Sequence, residues 1–339
     1  MIYEDDAKII LKQDCDWANL RNKTILISGA TGLLGSVLTD MFSLLNEKFS
    51  LNLKLLLISR NPSLVSAVPF INYIAHDINL SLNNINFENK IDYIIHLASN
   101  THPLLYASEP IKTITTNIFG TYNLLELAAK NPGCRFLLAS SVEIYGEDKN
   151  MSENGYSEKD AGYIDSNSLR SGYPESKRLS ESLCQAYKAE KNVDFVIARL
   201  SRCYGPTLRK DDSKVMSQFL KNAVEKKDLV LKSEGNQKFS FLYSADTASA
   251  IIFLLLNGKC AEAYNVADRK SEIQIRKLAE LIAKISGVKV VKGYPESLEK
   301  KGYSVVQNAV LNPAKINQLG WKASFSIEEG IEITLKCMK

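Results

Sequence analysis

Lys23-Thr-Ile-Leu-Ile-Ser-Gly-Ala-Thr-Gly-Leu-Leu-Gly35 runs a short apolar stretch, Ile25 to Ile27, into Gly29, Gly32 and Gly35. Beyond them Val37, Leu38, Met41 and Phe42 recur at helical spacing. Strand, glycine turn and helix, in that order, is the context in which such a turn holds a dinucleotide. Glycine lets the backbone turn sharply, and a position without Cβ lets a pyrophosphate approach the main chain. The N–H groups that open the helix, aided by its dipole, then face the anion. The reading places Gly29, Thr31, Gly32, Leu33, Leu34 and Gly35 against a cofactor. A glycine-rich turn that binds nothing is the plain alternative.

Working outward, Leu53 to Arg60 is a nearly continuous apolar run, as expected of a strand buried on both faces of a parallel sheet. Ile71 to Ile78, Ile91 to Ala98, Cys134 to Ser141 and Val193 to Leu200 read as further strands. Helical periods fall between them, at Ile114 to Ala129 and Tyr173 to Tyr187, with Gly133 closing the first. This alternation predicts an α/β fold, a doubly wound parallel sheet. In such sheets ligands lie beyond the carboxyl ends of the strands. Arg60, Asp77, Ile78, Leu97, Ala98, Ser99 and Ser140 to Glu143 all fall at such ends.

An acid at the end of the second strand would bind the ribose of NAD, but Ser59, Arg60 and Asn61 stand there. Arg60 suits a 2′-phosphate, so NADP stays open beside NAD. Asp77 is placed to cap the adenine pocket. Past about residue 201 the rhythm weakens into short apolar pieces (229–231, 239–243, 264–266) and helical ones (215–224, 247–256, 275–285). The expected organisation is a dinucleotide-binding domain over 1–200 and a smaller α+β substrate domain over 201–339, interleaved with it. Residues 1–22 read as an amphipathic leader packed on the domain.

The 339 residues are 45% hydrophobic and 24% charged, ordinary for a globular protein. A net charge of +4, with no basic block, gives no case for nucleic acid or a membrane surface. The acidic start lacks a signal peptide's apolar core, and no apolar run approaches membrane-spanning length. Six cysteines without CxxC spacing read as reduced thiols of a cytoplasmic protein. His76, His96 and His102 offer no ligand spacing, so no metal is expected.

The chemistry is carried by Tyr173-Pro-Glu-Ser-Lys177, which sets a phenol and an ammonium at i, i+4 on one helix face. The ammonium is expected to lower the phenol's pKa and make Tyr173 a base toward an alcohol, and Lys177 could also hold a nicotinamide ribose. Tyr145 and Tyr187 begin the same pattern. A loop follows the first, however, and the second closes its helix, whereas Tyr173 opens one with Pro174 in the first turn. Ser141 is the candidate partner of Tyr173, and Glu143 a candidate second proton carrier. Asn117 is expected to hold a water or backbone group in the site. A capping serine, a solvated glutamate and a helix-surface asparagine are the respective structural alternatives.

With these residues placed, the chain resembles the extended short-chain dehydrogenase/reductase family in its nucleotide-sugar epimerase/dehydratase branch. The likeness spans about 22 to 335 and rests on Gly29 to Gly35, His96-Leu-Ala, Asn117, Ser140-Ser-Val-Glu-Ile-Tyr-Gly146, Tyr173 to Lys177, Arg199-Leu-Ser-Arg-Cys-Tyr-Gly-Pro206 and Leu319-Gly-Trp321. It implies a Rossmann domain with tightly bound NAD, a C-terminal domain gripping a nucleotide sugar, and a homodimer. It further implies that Tyr173 takes the proton of the sugar C4 hydroxyl as C4 is oxidised. Three departures stand out. Val142 replaces the acid of the family dehydratases, Arg202 an asparagine, and Phe239 a diphosphate-gripping arginine. Arg202 and Lys238 are therefore expected to supply the diphosphate's positive charge.

The leading expectation is a nucleotide-sugar 4-epimerase. A 4,6-dehydratase, a decarboxylase and a C4 dehydrogenase share its first step. An NADPH-dependent carbonyl reductase and a non-catalytic cofactor sensor are the readings further afield.

Overall fold

The computed structural model describes residues 6, 8–60, 68–147, 152–209, 212–294 and 306–338. Chain order gives β1 (Thr24–Ser28), α1 (Leu33–Phe49), β2 (Lys54–Ser59), β3 (Ile71–Ala75), β4 (Tyr93–His96), α2 (Pro103–Ser108), α3 (Pro110–Ala129) and β5 (Arg135–Ser141). Next come α4 (Gly172–Lys191), β6 (Asp194–Leu200), β7 (Arg202–Tyr204), α5 (Val215–Val224), β8 (Leu229–Leu231), β9 (Lys238–Tyr243), α6 (Ser244–Asn257) and β10 (Glu262–Val266). The last are β11 (Glu272–Gln274), α7 (Ile275–Ser286), β12 (Val290–Lys292), β13 (Asn308–Ala309), α8 (Ala314–Leu319) and α9 (Ile327–Cys337).

Seven strands pair in the order β10-β6-β5-β4-β1-β2-β3, all parallel, which is the doubly wound sheet expected. Every residue of β1 is buried, because helices cover both faces. One face packs Val37, Leu38, Met41 and Phe42 of α1 with Ile251, Ile252 and Leu255 of α6. The other packs Leu124, Leu125 and Ala128 of α3 with Cys184 and Tyr187 of α4. Strand order reverses between β1 and β4, which opens the crevice where such sheets bind ligands.

The C-terminal half contributes β9, paired with β7, β11 and β13, and a separate β8–β12 pair. From that half, β10 and α6 belong to the main sheet and its covering layer. Ile9, Ile10 and Leu20 are buried, and Asp6 accepts a hydrogen bond from the Tyr243 hydroxyl, so the described part of the N-terminal segment is packed down. α3 ends at Ala129. Gly133, at φ +81°, serves instead in the turn into β5. No described helix is long and apolar enough to cross a membrane.

Candidate active site

The turns after β1, β2, β4 and β5 line one cavity of about 470 Å³ at the carboxyl edge of the sheet. Its floor is the glycine turn. Gly29 has φ +74°, and a Cβ there would come within 2.8 Å of the Ala98 nitrogen. At Gly35 a Cβ would stand 2.4 Å from the Gly29 carbonyl oxygen, so α1 packs against the turn only with glycine there. No side chain caps the start of α1, which leaves its first N–H groups to a ligand.

These residues fit a dinucleotide. Thr31, Gly32, Leu33, Leu34 and Gly35 line the cavity with Gly29. Arg60, Asp77 and Ile78 line its far end, and Leu97, Ala98 and Ser99 its near wall. Thr31 and Ser59 exchange a hydroxyl contact of 3.1 Å that ties the turn to β2. Asn117 does not line the cavity. It is buried beneath, accepting a 2.7 Å bond from Ser99 and donating 2.9 Å to Ser176 on α4. Its work is to join the β4 turn to the catalytic helix.

α4 carries Tyr173 and Lys177, both buried and both on the cavity wall. Lys177 donates to the Ala139 carbonyl at 2.9 Å, and burial pulls its pKa down to about 8 against the opposing pull of Glu181. Tyr173 departs from the expectation of a lowered pKa. Burial pushes it up to about 12, while hydrogen bonds from Ser141 and Tyr106 work the other way. The long Lys177 chain delivers its ammonium to a strand-end carbonyl rather than to the phenol. The Ser141 hydroxyl also accepts the Glu143 N–H at 3.2 Å. Tyr173, Lys177 and Ser141 are thus brought together as the sequence led us to expect.

Glu143 is neither solvated nor free. Oε2 accepts from Arg170 at 2.9 Å and Oε1 from Arg202 at 3.2 Å, with the carboxylate 11% exposed. Burial opposes its ionisation, but the two guanidinium groups outweigh it and hold the pKa below the usual carboxylate range. Arg202 lies 3.9 Å over the Phe239 ring and lines the same cavity as Tyr173. Lys238 is not brought to the cavity. Its ammonium pairs with Glu272 at 2.8 Å, so it cannot share the role expected of it with Arg202.

Sequence reasoning missed Arg170 and Tyr106. The Tyr106 ring stacks on that of Tyr173 at 4.6 Å, with Arg170 5.8 Å from its centre. It also missed Arg209, Lys214 and His102, which line the cavity with Asp212, the last two in contact with its carboxylate. Arg209-Lys-Asp-Asp-Ser-Lys214 was a legible local cluster of charge. Of the other Tyr-x-x-x-Lys matches, Tyr145 is buried and donates to Asn265, while its Lys149 lies outside the described residues. Tyr187 sits a turn inside α4, not at its end, and donates to Glu126. None of the six cysteines is joined in a disulfide, and no metal-holding cluster occurs among the described residues.

A doubly wound sheet whose glycine turn meets a Ser-Tyr-Lys group defines a nicotinamide-dependent enzyme of the extended short-chain dehydrogenase/reductase type. The chain belongs to the NAD dependent epimerase/dehydratase family, whose profile matches residues 25–267. It is 30% identical over 318 residues to UDP-glucuronic acid decarboxylase 3 of Arabidopsis thaliana, covering 92% of this chain and 88% of the other. It is 29% identical over 319 residues to UDP-glucuronic acid decarboxylase 1 of Xenopus tropicalis, covering 92% and 71%. Among solved structures, the UDP-glucose 4-epimerase of Thermotoga maritima superposes with a TM-score of 0.79 at 20% identity, over 93% of this chain and 98% of the other. A dTDP-glucose 4,6-dehydratase of Streptomyces venezuelae gives 0.79 at 22%, over 93% and 96%.

Proposed function

We propose that the protein decarboxylates a nucleotide-diphosphate uronic acid, UDP-glucuronic acid in the first instance, through oxidation at C4. The observation that carries the reading is Glu143, held ionised between Arg170 and Arg202 beside Tyr173. A 4,6-dehydratase needs an acid to protonate the departing hydroxyl. Val142 cannot be one, and a carboxylate clamped by two guanidinium groups is a poor one.

Decarboxylation needs no such acid. Tyr173 receives the proton of the C4 hydroxyl, relayed through Ser141, while Lys177 holds the neighbouring ribose. The chemistry the bound nicotinamide supplies is reversible removal of the C4 hydrogen with its electron pair. A 4-keto uronate is a β-keto acid. Its C5–C6 bond breaks, carbon dioxide leaves, and the electron pair spreads over C5, C4 and the C4 oxygen. Ser141 and Tyr173 are the donors for the charge that oxygen gains; a proton then returns to C5, and C4 takes back its hydrogen with the electron pair and a proton on oxygen, which leaves the pentose.

The curated relatives, which are named as decarboxylases, support this order of readings. It reverses the order expected from sequence, in which 4-epimerisation led. The test is product mass after incubation with UDP-glucuronic acid and no added cofactor. Loss of carbon dioxide supports the reading, and an isomer of unchanged mass, or loss of water, overturns it.

A homodimer built on α3 and α4 completes the proposal. Ile111, Phe119 and Tyr122 on α3 and Leu179 on α4 are exposed apolar side chains on two helices packed together. Light scattering is expected to give twice the chain mass for the native protein, and the single-chain mass for Phe119→Glu.

A further inference from the structure

The bond inventory of Arg202 does not balance. Of its five N–H donors, the hydrogen bond found is the one from Nη2 to Glu143, and that carboxylate divides its two oxygens between Arg202 and Arg170. The Arg202 Nε is buried with no partner among the described residues. The side chain is still 20% exposed and lines the cavity. Under-partnered donors on a buried cation are costly, and they are retained where a ligand repays them.

Location decides which ligand. β7 and β9 pair with Arg202 opposite Phe241, and the guanidinium lies flat over Phe239. This sets the cation beside Glu143, on the wall of the same cavity that Tyr173 lines.

We infer that Arg202 is the residue by which this enzyme selects a sugar bearing a carboxylate, its guanidinium fork receiving the C6 carboxylate next to Tyr173. The inference rests on the decarboxylase reading and deepens it. Phe239 lies beneath the guanidinium and Glu143 takes Nη2, which leaves Nη1 as the donor turned to the substrate. A neutral hexose leaves the same donors unpaired, so discrimination comes from the cost of failing to bind.

Titration calorimetry on the holoenzyme with UDP-glucuronic acid, UDP-glucose and UDP separates carboxylate from diphosphate. Arg202→Gln is expected to weaken UDP-glucuronic acid about ten- to a hundredfold and leave UDP-glucose and UDP within about twofold. Unchanged UDP affinity also reports a folded variant. Arg202→Lys keeps the charge without the fork and is expected to lose affinity for the acid alone, by about tenfold. An equal loss for all three ligands would assign Arg202 to the diphosphate, and no loss for any would make it structural. Either result overturns the inference. Product mass stands apart from it: carbon dioxide release with an equal loss for all three ligands sinks only this inference. Selective loss for the acid without carbon dioxide release sinks the decarboxylase reading.

Discussion

The ring of Tyr106 lies stacked on that of Tyr173, centroids 4.6 Å apart and planes 18° from parallel, and the Tyr106 hydroxyl is among the groups that lower the Tyr173 pKa. The two come from segments far apart in sequence, one on α2 after β4 and the other at the start of α4 after β5. The contact works against burial, which disfavours the Tyr173 phenolate.

Two substitutions separate the phenols. Tyr173→Phe keeps the stacked ring and removes the proton acceptor, so turnover should fall by about a thousandfold with the fold intact. Tyr106→Phe keeps the stack but deletes a hydrogen bond that lowers the Tyr173 pKa. Turnover should fall by about tenfold, and the ascending limb of its pH profile, set by ionisation of the Tyr173 base, should move to higher pH. An unmoved limb in Tyr106→Phe would deny Tyr106 that influence.

Glu143→Gln leaves two buried guanidinium groups facing each other without their shared counter-ion. Breaking a buried pair from one side costs about 3–5 kcal/mol, and the residual exposure here puts the expectation near the lower end of that range. Thermal denaturation should show it, and UDP-glucuronic acid should restore part of the lost stability by supplying a carboxylate. Protection by UDP-glucose of equal size would contradict the assignment of charge at this end of the cavity.

Gly35→Ala should disable cofactor retention before it disables folding. The new Cβ would meet the Gly29 carbonyl and the Ala30 Cα at 2.4 and 2.5 Å, forcing α1 away from the turn. Overpacking of this kind costs about 1–3 kcal/mol. Purified Gly35→Ala should release no NAD on denaturation, where the native protein should release about one per chain.

Asp246 gives the apoprotein a pH dependence of known sign. It is buried on α6 and accepts the Ser324 and Phe325 N–H groups at 2.7 and 3.0 Å, anchoring the segment before α9. Burial raises its pKa to about 7, against those two bonds. The folded state therefore holds a proton that the unfolded state has released, between about pH 4 and 7. The contribution is present in full at the acid end of that window and is lost as pH rises through 7, by at most about 1.4 kcal/mol per unit. Asp246→Asn should flatten this part of the stability curve.

The sheet was legible because its strands are buried on both faces and so appear as apolar runs, and because glycine marks the first turn unmistakably. Tyr173 opens its helix as the pattern suggested, whereas Tyr187, expected to close that helix, lies a turn inside it. The charge cluster was not legible. Arg170 and Arg202 lie 27 and 59 residues from Glu143, and only folding shows that one carboxylate serves both. The expected effect of Lys177 on Tyr173 misread a spacing as a contact. At i, i+4 the two share a face, but a four-carbon stem is free to reach the Ala139 carbonyl instead. Asn117 was recognised as a site residue, yet its place under the cavity depends on Ser99 and Ser176, which no local pattern links to it. Lys238 was misjudged because the preference of a strand-edge lysine for Glu272 cannot be read from either segment by itself.

The most direct test of decarboxylation through a C4 ketone is proton NMR of the enzyme with UDP-glucuronic acid in deuterium oxide, without added cofactor. The account predicts a UDP-pentose carrying one deuterium at C5 together with released carbon dioxide. A UDP-uronic acid inverted at C4, with its C5 proton retained and no carbon dioxide, would contradict it.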